Sequence, residues 1–378
     1  MNSRERIVAA LNHQEPDRVP IDLGGCDTGI EAGAYEPLKE LLGLRGEVTT
    51  CFVRDHTEID ESVLVRFGVD TRYVRVNPPK GIKPRIQEDN SYLDLWGTRW
   101  KKLPTSLYWD MVDFPIKEPT MDALKKYPWP DPEDPWITKG IRERARKLNE
   151  ETAYAVVLDS IGLGIFEQAW ALRGFENFLL DLAMNEGFAE ALLCRIAEYH
   201  TALFDRILTE VGAYIQVVMV ADDLGTQMGP MISPETYRRL IKPAQKRVYQ
   251  RIKSKTGAFI FLHSCGSVRQ FIPDFIELGV DILNPVQVTA ADMDPKELKA
   301  EFGQDLTFWG GGCDTQRVLG SASPDEVETE VKTRILELAS GGGFVFNQVH
   351  NIQPGVPPEN IVRMLETASE YGIYPIVF

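Results

Sequence analysis

The sequence predicts a (β/α)8 barrel, also called a TIM barrel. Eight apolar, strand-like runs alternate with amphipathic helical segments over 378 residues, and this order of elements is typical of parallel sheets covered by helices. A doubly wound open sheet is the structural alternative. No G-x-G-x-x-G or G-x-x-x-x-G-K-[ST] motif indicates a nucleotide-binding variant. The predicted strands are residues 19–23, 72–76, 154–159, 215–221, 259–263, 281–286, 306–310 and 344–349.

Helix start signals support this alternation. Ser233 and Ser323 each precede a proline and an acidic first turn, which is the pattern of an N-cap followed by Pro at the first helical position. Several amphipathic segments therefore have defined beginnings. The segments predicted as helices are residues 233–253, 267–278, 294–302, 324–339 and 358–371.

One segment interrupts the alternation without forming a second domain. Residues from about 77 to 136 are rich in Pro, Trp and Tyr, and residues 91–101 resemble two short strands around a turn. We therefore predict one domain spanning residues 1–378 with an inserted hairpin and loop. Its tryptophans either bury the insert or form an aromatic rim over a site or a docking face for a partner.

Composition excludes several classes of partner. The net charge of −15 and the pI of about 4.9 disfavour nucleic acid and anionic membranes. No apolar stretch approaches the roughly 20 residues of a membrane span, and the first residues lack a secretory apolar region. We expect a cytoplasmic protein. Its odd number of cysteines, five, does not suggest a disulfide framework.

The end of the fifth predicted strand carries the most informative motif, His263-Ser264-Cys265-Gly266. The preceding run is apolar throughout, as in a strand buried on both faces. Residues two apart on a strand share a face, so His263 and Cys265 should point the same way. Imidazole and thiolate ligands together suit Zn²⁺.

Later strand ends offer possible partners for this pair. Cys313 follows the seventh predicted strand and His350 the eighth, and in a barrel these ends share the C-terminal rim, where active sites form. We therefore predict a zinc site from His263, Cys265 and one or both of Cys313 and His350. The remaining cysteines, which fit no ligand pattern, are Cys26, Cys51 and Cys194.

Acidic residues at other strand ends could act on a substrate. Asp222 and Asp223 follow the fourth run, and we expect Asp222 to orient substrate or transfer a proton. Glu167 follows the third run and either contacts substrate or pairs with Arg173 on a helix surface. The glycines at 310–312 either cradle an anion or allow a tight turn.

Four stretches resemble the uroporphyrinogen decarboxylase superfamily: residues 4–20, 263–266, 311–316 and 350–360. The resemblance extends over nearly the whole chain and implies a (β/α)8 barrel. True uroporphyrinogen decarboxylases carry Arg-Gln-Ala-Gly-Arg just after the first strand, where arginines hold the carboxylates of the porphyrinogen. Here residues 24–29 read Gly-Gly-Cys-Asp-Thr-Gly. The missing arginines argue against a polycarboxylate substrate.

The zinc-dependent, corrinoid-linked methyltransferases form a second branch, and the chain resembles them in its H-x-C motif. In that branch a final Cys precedes a P-x-E-N stretch by seven residues, and here His350 has that position. Cys313 could supply the missing thiolate. In the related cobalamin-independent methionine synthases a Glu ligand follows H-x-C by about twenty residues, where this chain has Gln287. An amide is a poor zinc ligand, so Gln287 is predicted to contact substrate, as are Asn284 and Asp314.

This branch implies a methyltransferase that uses Zn²⁺ to demethylate a small methylated substrate. The methyl group would pass to a corrinoid on a partner protein, because the chain lacks the D-x-H-x-x-G corrinoid motif. A methoxylated aromatic substrate is favoured, since the aromatic insert could line a pocket. The alternatives are a uroporphyrinogen-type decarboxylase and a non-catalytic corrinoid- or tetrapyrrole-binding component.

Overall fold

A computed structural model describes residues 1–49, 57–78, 86–104, 106 and 109–377. Cys51 lies outside these residues, as do residues 79–85, 105, 107 and 108 of the predicted insert. The described strands are β1 (Thr71–Val74), β2 (Ser91–Leu93), β3 (Arg99–Lys102), β4 (Trp109–Asp113), β5 (Ala155–Leu158), β6 (Val217–Ala221), β7 (Phe259–His263), β8 (Ile282–Asn284), β9 (Thr307–Trp309) and β10 (Phe344–Val345).

The described helices cover the outside of the sheet. They are α1 (Ser3–Leu11), α2 (Ala32–Leu41), α3 (Glu61–Arg66), α4 (Met121–Lys126), α5 (Ile141–Glu151), α6 (Ile165–Arg173), α7 (Phe175–Met184), α8 (Glu186–Val211), α9 (Pro234–Thr236), α10 (Lys242–Lys255), α11 (Ile272–Glu277), α12 (Pro295–Phe302), α13 (Pro324–Leu338) and α14 (Pro358–Tyr371), with a π-helical turn at Tyr237–Ile241 and a 3₁₀ turn at Arg269–Phe271. None of the described helices combines the length and apolarity that crossing a bilayer requires.

Seven parallel strands form a curled sheet in the order β1-β5-β6-β7-β8-β9-β10. The first predicted strand, residues 19–23, fills the eighth position as an extended segment. Ile21 forms a parallel bridge with Phe346 on one side, and its carbonyl accepts from the Asp70 N–H on the other. The segment therefore joins the two edges of the sheet. The (β/α)8 barrel is confirmed, and the open doubly wound alternative is wrong.

The hydrophobic core has two layers, because alternate residues of each strand face opposite sides. Phe261, Ile282, Trp309 and Val345 pack inside the barrel, together with Leu11 from α1. A larger cluster fills the space between the strands and the helices. Arg4 of α1 donates its N–H to Ala153, just before β5, so α1 covers the N-terminal opening of the barrel.

The predicted helix caps are confirmed. The Ser233 hydroxyl accepts from the Thr236 N–H, and Ser323 forms a capping box with Glu326. Such caps satisfy backbone donors that the first turn of a helix leaves unpaired.

The insert contains one more strand than the sequence predicted. β2 and β3 form the expected antiparallel hairpin, and β4 adds a third strand beside β3. Asp94 organises the hairpin turn: its carboxylate accepts from the N–H groups of Trp96 and Thr98 and from the indole Nε1–H of Trp100. The resulting small sheet lies over the C-terminal end of the barrel, where several of its aromatic side chains line a cavity.

Candidate functional site

A cavity of about 780 Å³ opens at the C-terminal end of the barrel. Strand ends form its floor, and the insert together with α6 and α7 forms an aromatic wall. A volume of this size suits a small-molecule ligand. The lining residues are Cys26, Asp27, Glu31, Pro78, Tyr92, Asp94, Leu95, Trp96, Trp100, Trp109, Asp110, Met111, Phe114, Ile161, Gly162, Leu163, Glu167, Gln168, Trp170, Phe175, Ala221, Asp223, His263, His350 and Asn351.

His263 and His350 line the floor of this cavity, and Cys265 lies beside them. One ligand atom from each lies within 4.8 Å of the other two. The Cys265 Sγ is 3.3 Å from the Nε2 of His263, so the two side chains point the same way, as their spacing predicted. The imidazole rings of His263 and His350 pack edge to face, with centroids 5.3 Å apart. His263 at the end of β7, Cys265 two residues later and His350 in the segment after β10 thus form a single group.

Asn284, at the end of β8, orients the ring of His263. Its Nδ2 donates to the Trp309 carbonyl at 2.7 Å, and its Oδ1 lies 2.6 Å from the Nδ1 of His263. An amide oxygen can only accept, so Nδ1 carries the proton and the lone pair of Nε2 faces Cys265. Asn284 is fully buried and lies behind the ring. It therefore supports His263, whereas the sequence had suggested that it contacts substrate.

Asp223 and Gln287 fix the backbone of the motif. The Asp223 carboxylate accepts from the Cys265 N–H at 2.7 Å, and the Gln287 side-chain oxygen accepts from the Gly266 N–H at 2.6 Å. Gln287 thus holds the loop. Burial raises the pKa of the Cys265 thiol well above its ordinary value, and the nearby carboxylates, Asp223 foremost, raise it further.

His350 sits at the start of the loop that follows β10. Its Nδ1 accepts from the N–H of Asn351 at 2.7 Å. The Asn351 side chain in turn bonds to the loop after residues 19–23, since its Nδ2 donates to the Cys26 carbonyl and its Oδ1 accepts from the Gly29 N–H. These contacts place His350 at the seam where the barrel closes.

Cys313 does not join the group. Its side chain is fully buried between the barrel and the helices, and its Sγ lies 3.6 Å from the Glu330 carboxylate of α13. Burial raises the pKa of its thiol, and the Glu330 carboxylate raises it further. The expectation that Cys313 might complete the site does not match this position, because the chain turns outward after β9.

Asp222 supports α6 and does not line the cavity. Its carboxylate accepts from the N–H groups of Ile165, Phe166 and Glu167 and from the Gln245 side chain. Burial raises the pKa of Asp222 to about 6, while these donors limit the rise. The expected catalytic role of Asp222 is therefore not supported by its position. Of the two adjacent carboxylates, Asp223 reaches the cavity.

The remaining predicted substrate contacts, Glu167 and Asp314, also differ in position, because only Glu167 lines the cavity. Glu167 lines the cavity, and Arg173 pairs with Asp181 at 2.8 Å. Asp314 is buried and accepts from the backbone of Gln316 and Arg317, which forms a local turn. Glu167 remains a candidate for substrate contact, whereas Asp314 stabilises the loop after β9.

Sequence reasoning missed Cys26 and Asp27, which line the cavity. The Cys26 Sγ donates to the Asp27 carboxylate at 3.1 Å, and the Cys26 N–H donates to Asp159. Their position in the sequence could have identified them, because both residues follow the first predicted strand, and the end of that strand belongs to the same rim of the barrel. The sequence pattern alone places Cys26 among the cysteines that fit no ligand pattern.

The donor set of the three-residue group fits zinc. Zinc–nitrogen and zinc–sulfur bonds of about 2.0–2.3 Å in a tetrahedron separate neighbouring ligand atoms by roughly 3.5 Å. The 3.3 Å between His263 Nε2 and Cys265 Sγ agrees with that spacing. The orienting bond from Asn284 is also the type of support that metal-binding histidines receive. With three protein ligands, a zinc ion would have one coordination position left for a substrate or a water molecule.

Residues 112–371 match the family model for uroporphyrinogen decarboxylase (URO-D). The uroporphyrinogen decarboxylase of Geobacter metallireducens is 26% identical over 278 residues, covering 66% of this chain and 75% of its own length. That of Idiomarina loihiensis is 23% identical over 393 residues, covering 97% of this chain and 96% of its own length.

A solved structure, a methyltransferase from Methanosarcina mazei, covers 98% of this chain and 99% of its own chain. It has a TM-score of 0.67 and 17% sequence identity. At this identity the likeness establishes a shared fold. The chain therefore belongs to the uroporphyrinogen decarboxylase family, and its architecture resembles that of a methyltransferase along nearly its full length.

Proposed function

We propose that this protein is a zinc-dependent methyltransferase that demethylates a small methylated compound and passes the methyl group to the corrinoid of a partner protein. The observation that carries the proposal is the convergence of His263, Cys265 and His350 at the cavity, which the two histidines line. Two imidazoles and one thiolate form a zinc donor set, and an open fourth position is the mark of a catalytic site.

His263, Cys265 and His350 would hold the ion. When bound, zinc supplies a Lewis acid for the heteroatom that carries the methyl group, and the partner's corrinoid supplies the nucleophile. Asn284 keeps the Nε2 lone pair of His263 directed at the site. Asp223 fixes the Cys265 backbone from the cavity side. The chain's own residues therefore hold His263 and Cys265 in place before any ion arrives, whereas His350 would have to release the Asn351 N–H to bind the ion.

Porphyrinogen decarboxylation is less well supported. The loop after the first strand lines the cavity with Cys26 and Asp27 at the position where the decarboxylases carry arginines. Among the described lining residues, none is lysine or arginine. A substrate with several carboxylates would be bound far from any matching cation on that surface, which is unfavourable in a partly desolvated site.

The aromatic wall supports a flat, apolar substrate such as a methoxylated aromatic compound. Tyr92 packs against Trp100 and Trp109, with centroids 6.4 and 4.9 Å away. Trp170 and Phe175 extend the wall from the helical side. Stacking against such rings suits an aryl ether.

Methyl transfer to added Co(I) cobalamin tests the proposal. Purified protein should methylate the cobalt with a methoxylated aromatic donor, a reaction visible as a change in the absorption spectrum. A chelator should abolish the transfer, and zinc should restore it. Methyl transfer that persists in protein stripped of zinc would contradict the proposal, as would decarboxylation of uroporphyrinogen by the same preparation.

A further inference from the structure

The backbone of Asn351 occupies one nitrogen of the His350 ring. The Asn351 N–H donates to the Nδ1 of His350 at 2.7 Å, so the neutral ring carries its proton on Nε2. Neither nitrogen then offers a free lone pair to a metal ion. His263 has the opposite arrangement, because its bond to Asn284 leaves the Nε2 lone pair available beside Cys265.

His350 must give up this bond in order to bind an ion. It can present Nδ1 only after the Asn351 N–H has moved away, and Nε2 only after the ring proton has moved to Nδ1, where it would meet the same N–H. In either case the N–H loses its acceptor. Asn351 is only 6% exposed, and a buried backbone N–H without a partner costs free energy. Metal binding at His350 therefore favours a displacement of Asn351.

The Asn351 side chain ties this position to residues 24–31, which we call the 24–31 loop. Its Nδ2 donates to the Cys26 carbonyl and its Oδ1 accepts from the Gly29 N–H, each at 2.7 Å. The next residue adds a backbone bond, since the Ile352 N–H donates to the Gly29 carbonyl at 3.0 Å. A displacement of Asn351 thus acts directly on the 24–31 loop.

The 24–31 loop is tightly packed and forms part of the cavity wall. A Cβ on Gly25 would lie 2.6 Å from the Oγ1 of Thr28, so the loop has little room to absorb a shift locally. A displacement imposed on it therefore reaches the side chains that face the cavity. The loop residues that line the cavity are Cys26, Asp27 and Glu31.

We propose that Asn351 couples metal binding at His350 to the position of the 24–31 loop. The inference rests on the proposed function and concerns how its metal site communicates with its cavity. When His350 binds zinc, Asn351 gives up its bond to the ring, and its side chain carries the displacement to the cavity wall. Asn351 acts through His350 and the loop, so it is a positioning residue. Zinc and a cavity ligand then influence each other's binding reciprocally.

NMR of protein isotopically labelled at asparagine and at the histidine ring nitrogens tests the first step. In metal-free protein at about pH 8, where histidine is ordinarily neutral, we expect the Nε2–H tautomer for His350 and the Nδ1–H tautomer for His263. The backbone amide of Asn351 should exchange with solvent several-fold faster once zinc is bound, because it loses its acceptor. His350→Ala assigns the ring signals and is the control: its Asn351 amide lacks this acceptor throughout, so zinc should not change its exchange.

Hydrogen exchange measured by mass spectrometry tests the second step at the 24–31 loop. Zinc should change the exchange of this loop in the wild-type protein. Asn351→Ala removes both side-chain bonds to the loop, so the response should fall several-fold while zinc still binds. Gln348→Met is the matched control. The Gln348 Nε2 also donates to the loop, at the carbonyls of Thr28 and Gly29, but its loss leaves the donor to His350 in place, so the response should persist.

Three results would overturn the inference: the Nδ1–H tautomer for His350 in metal-free protein, an Asn351 amide whose exchange zinc does not change, or an undiminished loop response in Asn351→Ala. The first two are measured on the wild-type protein, so they decide the question even where Asn351→Ala does not fold. Zinc content of the same samples separates the two proposals. Zinc-loaded protein with any of these results contradicts the inference only, whereas protein that takes up no zinc contradicts the proposed function and the inference with it.

Discussion

The ends of β7 and β9 present a cysteine in similar sequence settings but place it in opposite layers of the barrel. Cys265 follows β7 by two residues and lies beside His263, whose ring lines the cavity. Cys313 follows β9 by four residues and packs outside the strands against Glu330. Position near a strand end is therefore insufficient to identify a ligand. The backbone path after the strand decides which layer a side chain enters.

The glycines after β9 explain the difference. Gly310 and Gly311 have φ values of +94° and +79°, which break the alternation that carries β7 through to Cys265. A Cβ on Gly312 would lie 2.4 Å from the ring of Phe346. The N–H groups of Gly310 and Gly312 donate to the carbonyls of Val345 and Asn347. The glycines therefore serve a close turn against β10, and these two amides are not free to bind an anion.

The largest expected difference is in the zinc that Cys265→Ser and Cys313→Ser retain. Serine is a poor zinc ligand, so Cys265→Ser should lose its zinc through dialysis while Cys313→Ser keeps about one ion per chain. Elemental analysis of the dialysed proteins measures the difference. Zinc retained by Cys265→Ser, or lost by a folded Cys313→Ser, would reverse the assignment of the two strand ends.

Removal of the support behind His263 should have the next largest effect. Asn284→Leu deletes the acceptor that fixes the ring tautomer, and loss of such a partner weakens metal affinity by about 10–100-fold. Competition with a fluorescent chelator measures it. Asn360→Leu is the control: Asn360 is also buried and donates to two carbonyls, those of Leu319 and Ala322. Its loss should lower stability and leave zinc affinity unchanged.

Zinc affinity should increase with pH because of Cys265. The pKa of its thiol is raised in the metal-free protein, so binding zinc at neutral pH must release the thiol proton. This release contributes about a tenfold gain in affinity per pH unit below that pKa. Cys265→Asp, whose carboxylate is already ionised, should flatten the dependence between pH 7 and 8, whereas Cys313→Ser should retain it. Equal slopes in all three proteins would exclude Cys265 as the titrating ligand.

The smallest effect on the site is expected from Gly312→Ala. The added Cβ would clash with Phe346, and such overpacking costs about 1–3 kcal/mol of unfolding free energy. Zinc content should not change. Gly320→Ala is the matched control, because its Cβ would meet no atom closer than 3.9 Å. Thermal unfolding compares the two, and zinc loss from Gly312→Ala would show that the end of β9 contributes to the site.

The barrel was predictable because apolar runs and helix caps are local signals. The run at 259–263 coincides with β7, and Ser323 caps α13 as its sequence suggested. The segment at 19–23 shows the limit of such signals, since its place depends on bridging the two edges of the sheet. The third strand of the insert, β4, was missed because Trp109-Asp110-Met111-Val112-Asp113 does not alternate between apolar and polar residues.

The site was only partly predictable because its residues lie where strands end and alternation stops. His263 and Cys265 are close enough to β7 for the alternation to hold. Asp222 and Asp223 are adjacent, so one faces α6 and the other the cavity, and sequence alone does not say which. Asn284 lies beside His263 because β7 and β8 pair in the register that places these two residues opposite each other. This contact cannot be predicted from the sequence without that pairing.

X-ray absorption at the zinc edge tests the central claim most directly, namely that His263, Cys265 and His350 form a metal centre that excludes Cys313. The account predicts one sulfur ligand at about 2.3 Å and two imidazole nitrogens at about 2.0–2.1 Å. His350→Ala should reduce the imidazole signal by one, and Cys313→Ser should leave the spectrum unchanged. A second sulfur ligand that disappears in Cys313→Ser would contradict the account.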